Sequence, residues 1–271
     1  FESEIVAREA VGGIIACTQS PDHIMPPNAT LLQHRLGLPV SVAAFDYSLA
    51  CSGFIYGLFL AKALIESQSL DNILLVTAEA YSKLIHPQDR GTMALFGDGA
   101  AVSLIRKGTK GVGKVVLGTD GSGGNRFIVP AGGSRMPKSS ETCVEIANAL
   151  GNVRTPENIH MDGPAVMTFV KKRIPDCVTG LLHQAGYTQE NISLFIFHQG
   201  SALSLDYLEA ALKLPKEKVY RNLARIGNTV SASIPIAIRD AQSDGLIVPG
   251  SRVLLTGFGV GFSWGACIVE C

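Results

Sequence analysis

Short apolar runs alternate with helix-length segments along most of the chain. The runs are rich in β-branched and apolar residues, and they cover residues 11–16, 40–45, 73–78, 100–105, 194–197, 252–257 and 262–269. Runs of about four to eight such residues are typical of strands that are buried on both faces. Because helix-length segments separate most of them, the pattern predicts an α/β fold in which helices cover the sheets.

Three segments carry the pattern of longer helices. Residues 54–65 are apolar around almost their whole circumference, which predicts a helix that is buried on all sides. Residues 164–184 follow Asp162, a typical N-cap, and contain Pro175, which we expect to kink the helix. Residues 202–214 form the third predicted helix.

The stretch between residues 108 and 158 is rich in Gly, Pro, Ser and Thr. This composition is typical of a long excursion over the surface, and we expect one short helix within it, at residues 142–149. Residues 1–10 have the pattern of a helix fragment that runs into the first strand with almost no turn residue. We therefore expect the N-terminal part of the fold to be incomplete in this chain.

One arrangement of elements occurs twice: a strand, a chemically reactive residue and then a helix. The first copy runs from Phe45 through Cys51, and the second runs from Phe195 through His198. Each half also ends in a run of small residues that resembles a hairpin. A duplicated α/β unit is the simplest explanation. The predicted division is a first half at 1–107, a capping and linking region at 108–160, and a second half at 161–271.

The charged residues are balanced, with 23 Lys and Arg against 23 Asp and Glu. A chain without net charge lacks the basic field that a phosphate backbone requires, so we expect no nucleic-acid partner. No apolar run approaches the roughly 20 residues of a membrane span, so we expect no membrane partner either. The six cysteines show no CxxC spacing and no metal-ligand pattern with histidine, which predicts no metal site and a cytoplasmic, reducing location.

Cys51 is the strongest candidate nucleophile. It lies where an apolar strand ends and the predicted helix 54–65 begins, so the positive end of the helix dipole should favour its thiolate. Its neighbours Ala50, Ser52 and Gly53 are small and leave room for a substrate. The competing interpretation is a small buried hydrophobic residue, which is the usual state of a free cysteine and which we assign to the other five.

His198 and Asn228 are the candidate partner groups. His198 follows the apolar run 194–197, and the carboxyl ends of strands are where α/β folds build their sites. A buried structural histidine is the alternative. Asn228 lies in a segment of small residues, 226–235, that suits a tight turn into a helix, and an ordinary turn or cap residue is the alternative there.

Taken in this order, these segments resemble a known family. The chain is similar to β-ketoacyl-acyl-carrier-protein synthase III and its relatives in the thiolase superfamily, from about residue 11 to residue 271. The matching runs are 46–54 around the candidate nucleophile, 87–92, 96–100, 198–199, 227–229 and 257–265.

The resemblance implies a thiolase-like, five-layered αβαβα fold made of two duplicated halves with a tunnel between them. It also implies a catalytic triad of Cys51, His198 and Asn228 in that tunnel. The backbone N–H groups of Cys51 and Val260 would form the oxyanion hole. Because a main-chain group is the donor, a Val at this position, where relatives carry Gly, does not abolish the function.

The resemblance also concerns the carrier of the acyl group. Arg90 matches the family arginine that stacks on the adenine of coenzyme A, and Ser201 is a second candidate for binding this carrier. The helix after His198 has Leu203, Ala210 and Ala211 where relatives that dock acyl carrier protein have basic residues. The expected carrier is therefore coenzyme A, with acyl carrier protein as the alternative.

The implied reaction is acyl transfer. An acyl thioester loads Cys51, and a malonyl-type thioester then loses carbon dioxide and condenses with the acyl group to give a β-ketoacyl product. Neither step requires a metal or an organic cofactor, since coenzyme A enters as part of the substrate. Two alternatives remain open: a thiolase-fold acyltransferase that forms an ester or an amide, and a polyketide synthase that resembles chalcone synthase.

The resemblance also implies a homodimer, because members of that family pair across a two-fold axis. The strand at residues 73–78 is too apolar for a bare sheet edge, so we expect the pairing there. The expected partners are a second copy of the chain, an acyl-coenzyme A and a malonyl-type thioester.

Overall fold

A computed structural model of the protein describes residues 5–271 as alternating strands and helices. The strands are β1 (Gly13–Cys17), β2 (Ala43–Tyr47), β3 (Asn72–Glu79), β4 (Gly99–Arg106), β5 (Val112–Thr119), β6 (Phe127–Ile128), β7 (Ile146–Ala147), β8 (Val153–Arg154), β9 (His160–Met161), β10 (Leu194–Phe197), β11 (Arg252–Gly259) and β12 (Ser263–Glu270). The helices are α1 (Asn28–Arg35), α2 (Gly53–Glu66), α3 (Arg90–Met93), α4 (Gly163–Ala185), α5 (Ala202–Leu212), α6 (Leu223–Ile226) and α7 (Ser233–Ser243).

Two four-stranded sheets form the frame of the molecule. The first has the order β2-β1-β3-β4, in which β4 is antiparallel to β3 and the other pairs are parallel. The second has the order β10-β11-β12-β5, in which β10 and β11 are parallel and β12 is antiparallel to both of its neighbours. Both sheets thus repeat one pattern, parallel strands followed by an antiparallel one. This repetition agrees with a duplicated unit, while the predicted boundaries of the halves stay a prediction.

The helices form three layers around these sheets. α2 contacts β1, β3 and β4 on one side and β5, β11 and β12 on the other, and α7 contacts β4 and β10 in the same central layer. α1 packs on β1 and β2, whereas α4 packs on β5, β11 and β12 and is joined there by α5. The five-layered αβαβα arrangement predicted from the sequence is confirmed.

Alternate residues of each strand face different helical layers, because successive side chains of a strand point to opposite sides. Ile15 of β1 and Ile196 of β10 pack in the central core around α2. Ile14 packs in an outer core with α1, and Phe195 packs in the opposite outer core with α4 and α5. Both faces of these strands are covered, which explains why their sequences are continuously apolar instead of alternating.

The predicted strands agree with the structure to within two residues, with one exception. The run at 40–45 was expected to be a strand, but β2 begins only at Ala43. The chain turns just before it, where the N–H of Val42 donates to the carbonyl of Pro39 (3.1 Å), and Val40 is fully exposed. The turn therefore shifts the strand toward Cys51.

Two predictions for the region after β4 are wrong. Part of the expected surface excursion is β5, an integral strand of the second sheet. The short helix expected at 142–149 is absent, and β7 pairs there with β8 instead. The side chain of Asn148 accepts the N–H groups of Leu150 and Asn152, and such local side-chain bonds favour a turn over a helix.

Predictions for the helices are mostly confirmed. α4 begins after Asp162, whose carboxylate accepts the N–H of Ala165 (3.0 Å), and Pro175 lies inside this helix. Of the helix fragment expected at 1–10, residues 1–4 lie outside the described residues, and the described part forms only the 3₁₀ turn Arg8–Ala10. No helix within residues 5–271 is both long enough and apolar enough to cross a membrane.

The strand expected to pair with a second copy is not at an edge. β3 is hydrogen-bonded to β1 on one side and to β4 on the other. The prediction that residues 73–78 form the dimer contact is therefore wrong, because neighbours within the sheet already cover this apolar strand. Among the strands of residues 5–271, the outer positions of the first sheet belong to β2 and β4.

The packing of α5 against α4 can be tested with two leucines of the same helix. Leu208 is fully buried in the outer core, whereas Leu203 is 66% exposed. We expect Leu208→Ala to lower the free energy of unfolding by about 2–5 kcal/mol, and Leu203→Ala to change it by less than about 0.5 kcal/mol. Urea unfolding of both variants measures the difference, and equal effects would contradict this packing.

Candidate active site

Cys51 lies in the tight turn between β2 and α2. The N–H of Gly53 donates to the carbonyl of Ala50 (2.7 Å) in this turn, and α2 begins at Gly53. The side chain of Cys51 is buried, but it reaches the wall of a cavity of about 590 Å³. The predicted position at the start of this helix is confirmed, but the prediction that the helix is buried on all sides is wrong, because Phe59 is 43% exposed.

This cavity brings the three predicted catalytic residues together. Cys51 comes from the first half of the chain, whereas His198 and Asn228 come from the second. Much of the remaining wall is apolar. It includes Leu95, Phe96, Phe127, Met161, Val166, Met167 and Phe258. A nucleophile and two polar partners therefore share a mostly apolar chamber to which both halves contribute.

The glycine-rich end of β11 packs directly on the nucleophile. A Cβ atom on Gly259 would lie 2.9 Å from the Sγ atom of Cys51, and one on Gly257 would lie 2.7 Å from the Cys51 carbonyl oxygen. Neither position accepts a side chain unless Cys51 moves. The glycines thus keep space around the sulfur for a bonded acyl group.

Two backbone N–H groups, one at the nucleophile and one at the residue after Gly259, are free to act as donors. Within residues 5–271, neither the N–H of Cys51 nor that of Val260 donates to another residue. Val260 directly follows Gly259 and packs in the same apolar cluster as Cys51. Such a pair suits an oxyanion hole, and its use in catalysis stays a prediction.

The thiol of Cys51 is neutral in the resting site. Burial raises its pKa, and the nearby carboxylate of Glu79 raises it further. Burial and the Glu79 charge thus both oppose the resting thiolate that was expected from the position at the start of α2. Deprotonation must accompany the attack on a substrate.

The other cysteines differ in their surroundings. Cys17 and Cys267 are buried, and burial raises the pKa of each thiol to about 12. Cys143 and Cys271 are exposed, so their assignment as buried hydrophobic residues is wrong. In the described part of the chain, no group of three His, Cys, Asp or Glu side chains is placed to hold a metal ion.

His198 directly follows β10, where its N–H donates to the carbonyl of Thr256 (2.8 Å). Burial lowers the pKa of His198 to about 3, so the ring is neutral at physiological pH. Its Nδ1 atom lies 3.1 Å from the hydroxyl of Ser233, which already accepts the N–H of Gln199 (2.8 Å). The hydroxyl can donate its hydrogen to Nδ1, and in that tautomer the ring proton lies on Nε2, where it is available for donation.

Asn228 is fixed through both its backbone and its side chain. Its N–H donates to the carbonyl of Leu95 (2.9 Å), and its carbonyl accepts the N–H of Gly97 (3.0 Å). Its Oδ1 atom accepts the N–H of Val230 (2.9 Å), and its Nδ2 atom lies 3.4 Å from the carbonyl of Gly200. Since Oδ1 is occupied, the amide presents Nδ2 as its donor.

Val230 has a backbone conformation that a β-branched residue rarely adopts. Its φ angle is +53°, in the left-handed region, and it begins the 3₁₀ turn Val230–Ala232. A residue held in this region costs about 1–3 kcal/mol and persists only where its surroundings enforce it. Here the enforced turn aims the Val230 N–H at the side chain of Asn228. The sequence carries no signal for this conformation.

The two predicted carrier-binding residues lie in different settings. Arg90 is exposed at the first position of α3 and does not line the cavity. Ser201 lines it, but its hydroxyl also caps α5 by accepting the N–H of Ser204 (3.1 Å). Sequence reasoning missed Lys171, which lines the cavity from α4 and lies 5.4 Å from the centre of the Tyr207 ring. The binding roles of Arg90 and Ser201 stay predictions.

Comparisons with known proteins agree with this geometry. Residues 45–121 match the family described as 3-oxoacyl-[acyl-carrier-protein] synthase III, and residues 182–271 match the C-terminal part of the same family. The chain is 39% identical to β-ketoacyl-[acyl-carrier-protein] synthase III of Caldanaerobacter subterraneus over 95% of its own length and 75% of the relative's. It is 35% identical to synthase III 3 of Streptomyces coelicolor over 98% of its length and 78% of the relative's.

Solved structures show the same relationship. A 3-oxoacyl-(acyl-carrier-protein) synthase III crystal structure superposes with a TM-score of 0.97 at 42% identity, covering 100% of this chain and 81% of the other. The priming β-ketosynthase of the R1128 polyketide pathway superposes with a TM-score of 0.84 at 28% identity, covering 97% of this chain and 76% of the other. With its layered fold and its Cys, His and Asn in one chamber, the chain belongs to the 3-oxoacyl-[acyl-carrier-protein] synthase III family of acyltransferases in the thiolase superfamily.

Proposed function

We propose that this chain transfers an acyl group from acyl-coenzyme A to Cys51 and then condenses it with a malonyl-type thioester, with loss of carbon dioxide. The single observation that carries the proposal is the shared cavity of Cys51, His198 and Asn228. Relatives named as β-ketoacyl-[acyl-carrier-protein] synthases support it. The product would be a β-ketoacyl thioester for fatty-acid biosynthesis.

In the loading step, the Sγ atom of Cys51 attacks the carbonyl carbon of the acyl thioester. A sulfur–carbon bond forms to Cys51, the bond to coenzyme A breaks, and the thiol proton of Cys51 leaves with the coenzyme A thiol. The N–H groups of Cys51 and Val260 hold the negative oxygen that develops during attack. The start of α2 stabilises the same charge, although it does not ionise the resting thiol.

In the condensation step, the malonyl-type carboxylate leaves as carbon dioxide and its electron pair forms an enolate. Nε2–H of His198 and the Nδ2 amide of Asn228 donate to the enolate oxygen. The enolate carbon attacks the acyl carbon, the bond to Cys51 breaks, and the thiolate regains a proton from water. A neutral His198 suits this step, because an imidazolium would hold the starting carboxylate as an ion pair and oppose its loss.

The reaction as proposed needs no metal and no organic cofactor. The soft sulfur is the nucleophile, backbone and side-chain N–H groups are the electrophilic donors, and loss of carbon dioxide drives carbon–carbon bond formation. The apolar wall also favours decarboxylation, since a charged carboxylate is poorly solvated there and the leaving carbon dioxide is neutral.

Priming of a polyketide is the second candidate function. The similarity to a priming β-ketosynthase of a polyketide pathway favours it. The chemistry at Cys51 is the same in both cases, so the two functions differ in the acyl group and in the fate of the product. Incubation with a panel of acyl-coenzyme A thioesters, followed by intact-mass analysis, identifies the acyl group that Cys51 accepts.

Coenzyme A is the proposed carrier of the first acyl group, with Arg90 stacked on its adenine. Acyl carrier protein is proposed as a carrier of the malonyl-type thioester, since Lys171 supplies a basic group at the cavity wall that α5 itself lacks. Carrier proteins are acidic, and basic residues near the entrance increase their encounter rate. A cytoplasmic location stays a prediction from the cysteine pattern.

A homodimer is proposed through the outer strand β2 in place of β3. Large apolar side chains flank this strand and are exposed: Val40 just before it, and Ile24 in a surface pocket shared with Asp46 and Ser48 at its end. An outer strand with free backbone groups and exposed apolar neighbours suits pairing with a second copy. Such pairing would extend the first sheet across a two-fold axis.

The roles of Cys51, His198 and Asn228 can be distinguished by measuring the two half-reactions separately. Cys51→Ala should abolish acyl loading, whereas His198→Ala and Asn228→Ala should still load but lose about 2–4 kcal/mol of transition-state stabilisation in condensation, as for the loss of an oxyanion donor. Intact mass measures loading, and single-turnover product formation measures condensation. Equal loss of loading in all three variants would contradict these roles.

Arg90 can be tested with two substrates that differ only in the nucleotide. If Arg90 stacks on adenine, Arg90→Ala should raise KM for acetyl-coenzyme A about five- to tenfold, since such a stack is worth about 1 kcal/mol. It should not change KM for acetyl-pantetheine, which has no adenine. Arg106→Ala, at an exposed position on β4, is the control. An equal effect of Arg90→Ala on both substrates would rule out adenine stacking.

The proposed dimer contact can be tested by introducing charged side chains beside β2. The double variant I24K/V40K places two lysines beside β2 and should reduce the mass in light scattering to that of one chain at micromolar concentration, because like charges meet across the axis. Val102→Lys on β4, also at an exposed position, should leave the dimer intact. A wild-type protein of monomer mass would argue against the dimer itself.

A further inference from the structure

Glu79 is a buried carboxylate that the proposed reaction does not use. It is the last residue of β3 and is only 4% exposed. One oxygen, Oε2, accepts the N–H of Gln19 (2.9 Å) and lies 3.3 Å from the hydroxyl of Ser20. The other, Oε1, accepts the hydroxyl of Ser231 (2.8 Å). The side chain therefore connects the end of the first sheet with the segment that follows Asn228.

The surroundings of Glu79 are unusual for a carboxylate. The ion pairs found within residues 5–271 do not include Glu79, so hydrogen bonds alone offset its burial. A buried carboxylate without a cation is costly and is seldom retained for stability alone. Its hydrogen bond to Ser231 is fully buried and joins residues that are 152 positions apart.

Ser231 is part of the turn that orients the Asn228 side chain. It directly follows Val230, whose left-handed backbone directs its N–H to the Oδ1 atom of Asn228. If Ser231 were released, the turn could relax toward the ordinary right-handed region, and the Val230 N–H would leave Oδ1. The amide would then be free to rotate, and Nδ2 would no longer be held as the donor toward the cavity.

We propose that Glu79 is a positioning residue that holds Ser231 and the Val230 turn, and thereby fixes Asn228 for condensation but not for loading of Cys51. This inference rests on the proposed function, because it assigns Asn228 to the second half-reaction. Glu79 touches no reacting atom and acts only through the turn.

The ionisation of Glu79 should make the rate of condensation depend on pH. Burial raises the pKa of Glu79 to about 7, against the effect of its hydrogen bonds, which lower it. As the pH falls through 7, the carboxylate gains a proton and becomes a weaker acceptor for Ser231. As the pH rises, the charged acceptor is restored. The rate of condensation should therefore decline below about pH 7, because protonated Glu79 holds Ser231 less firmly. The rate of loading should not decline for this reason, since loading does not depend on Asn228.

Other groups around Glu79 do not titrate in this range. Those that face it are Cys17 of β1, Tyr47 of β2, Cys51 before α2 and Tyr81 after β3. Burial raises the pKa of all four, so they remain neutral near pH 7. His198 is neutral there as well, because burial lowers its pKa to about 3. The charge that changes near pH 7 in this cluster belongs to Glu79.

The test compares Glu79→Gln and Ser231→Ala with the wild-type enzyme. Gln keeps the shape of Glu but offers one acceptor oxygen where the carboxylate offers two. Glu66→Gln is the matched control, since Glu66 is exposed on α2 and pairs only with Lys62 among the residues described. Loading is measured by intact mass with acetyl-coenzyme A. Transfer is measured as release of the acetyl group from preloaded enzyme by malonyl-coenzyme A, across about pH 6 to 8.5.

We expect Glu79→Gln to load at the wild-type rate or faster, because removal of a nearby negative charge makes the Cys51 thiolate less costly. Transfer should fall at least about tenfold and lose its dependence on pH near 7. Ser231→Ala should show the same division between loading and transfer. Glu66→Gln should behave like the wild type in both steps.

Parallel loss of loading and transfer, unchanged transfer, or an unchanged pH profile in Glu79→Gln would each overturn the inference. If that variant does not fold, as judged by its thermal melting, Ser231→Ala decides by the same criteria. A wild-type enzyme that neither loads nor transfers would instead reject the proposed function, and this inference with it. A wild type that performs both steps while Glu79→Gln matches it rejects the role of Glu79 alone.

Discussion

The placement of α2 between the two sheets is the constraint on which the rest of the molecule depends. A helix that is apolar around its circumference cannot be covered by one sheet, so two sheets enclose it, and outer helices must then cover those sheets in turn. The N-terminal end of α2 is the place where both halves of the chain approach the same point. The packing of α2 between the sheets therefore brings Cys51 close to His198, Asn228 and the glycines of β11.

The same enclosure determines the electrostatics of the chamber. Removal of water keeps the Cys51 thiol protonated and His198 neutral, so the resting site carries no fixed charge on its catalytic side chains. Catalysis then depends on the direction of hydrogen-bond donors. The directions of these donors are controlled by residues outside the cavity wall: the Ser233 hydroxyl contacts Nδ1 of His198, and the Val230 N–H holds Oδ1 of Asn228. The activity of such a site should depend strongly on small rotations of the donor side chains and only weakly on salt concentration.

The layered fold and the three central residues could be predicted from the sequence because their signals are local. α2 and α4 are long and strongly patterned, His198 directly follows the apolar strand β10, and Cys51 lies in the short turn between β2 and α2. Other features depend on contacts between distant segments. An apolar strand has the same sequence pattern at an edge as in the interior, so the position of β3 between β1 and β4 could not be read from residues 73–78. The left-handed Val230 and the neutral Cys51 thiol follow from tertiary packing, which a linear pattern does not encode.

The pairing of β5 with β12 has a consequence for how the protein is made. Val112–Thr119 precedes the whole second half in the chain, yet its hydrogen-bonding partner is Ser263–Glu270. A ribosome that has completed β5 must add almost the entire second half before that strand finds its place. Until then the strand β5 lacks its hydrogen-bonding partner β12. Contacts between segments so far apart in sequence form slowly. The strands of the first sheet all lie within residues 13–106, so a newly made chain can close that sheet while β5 remains unpaired until the second half is nearly complete.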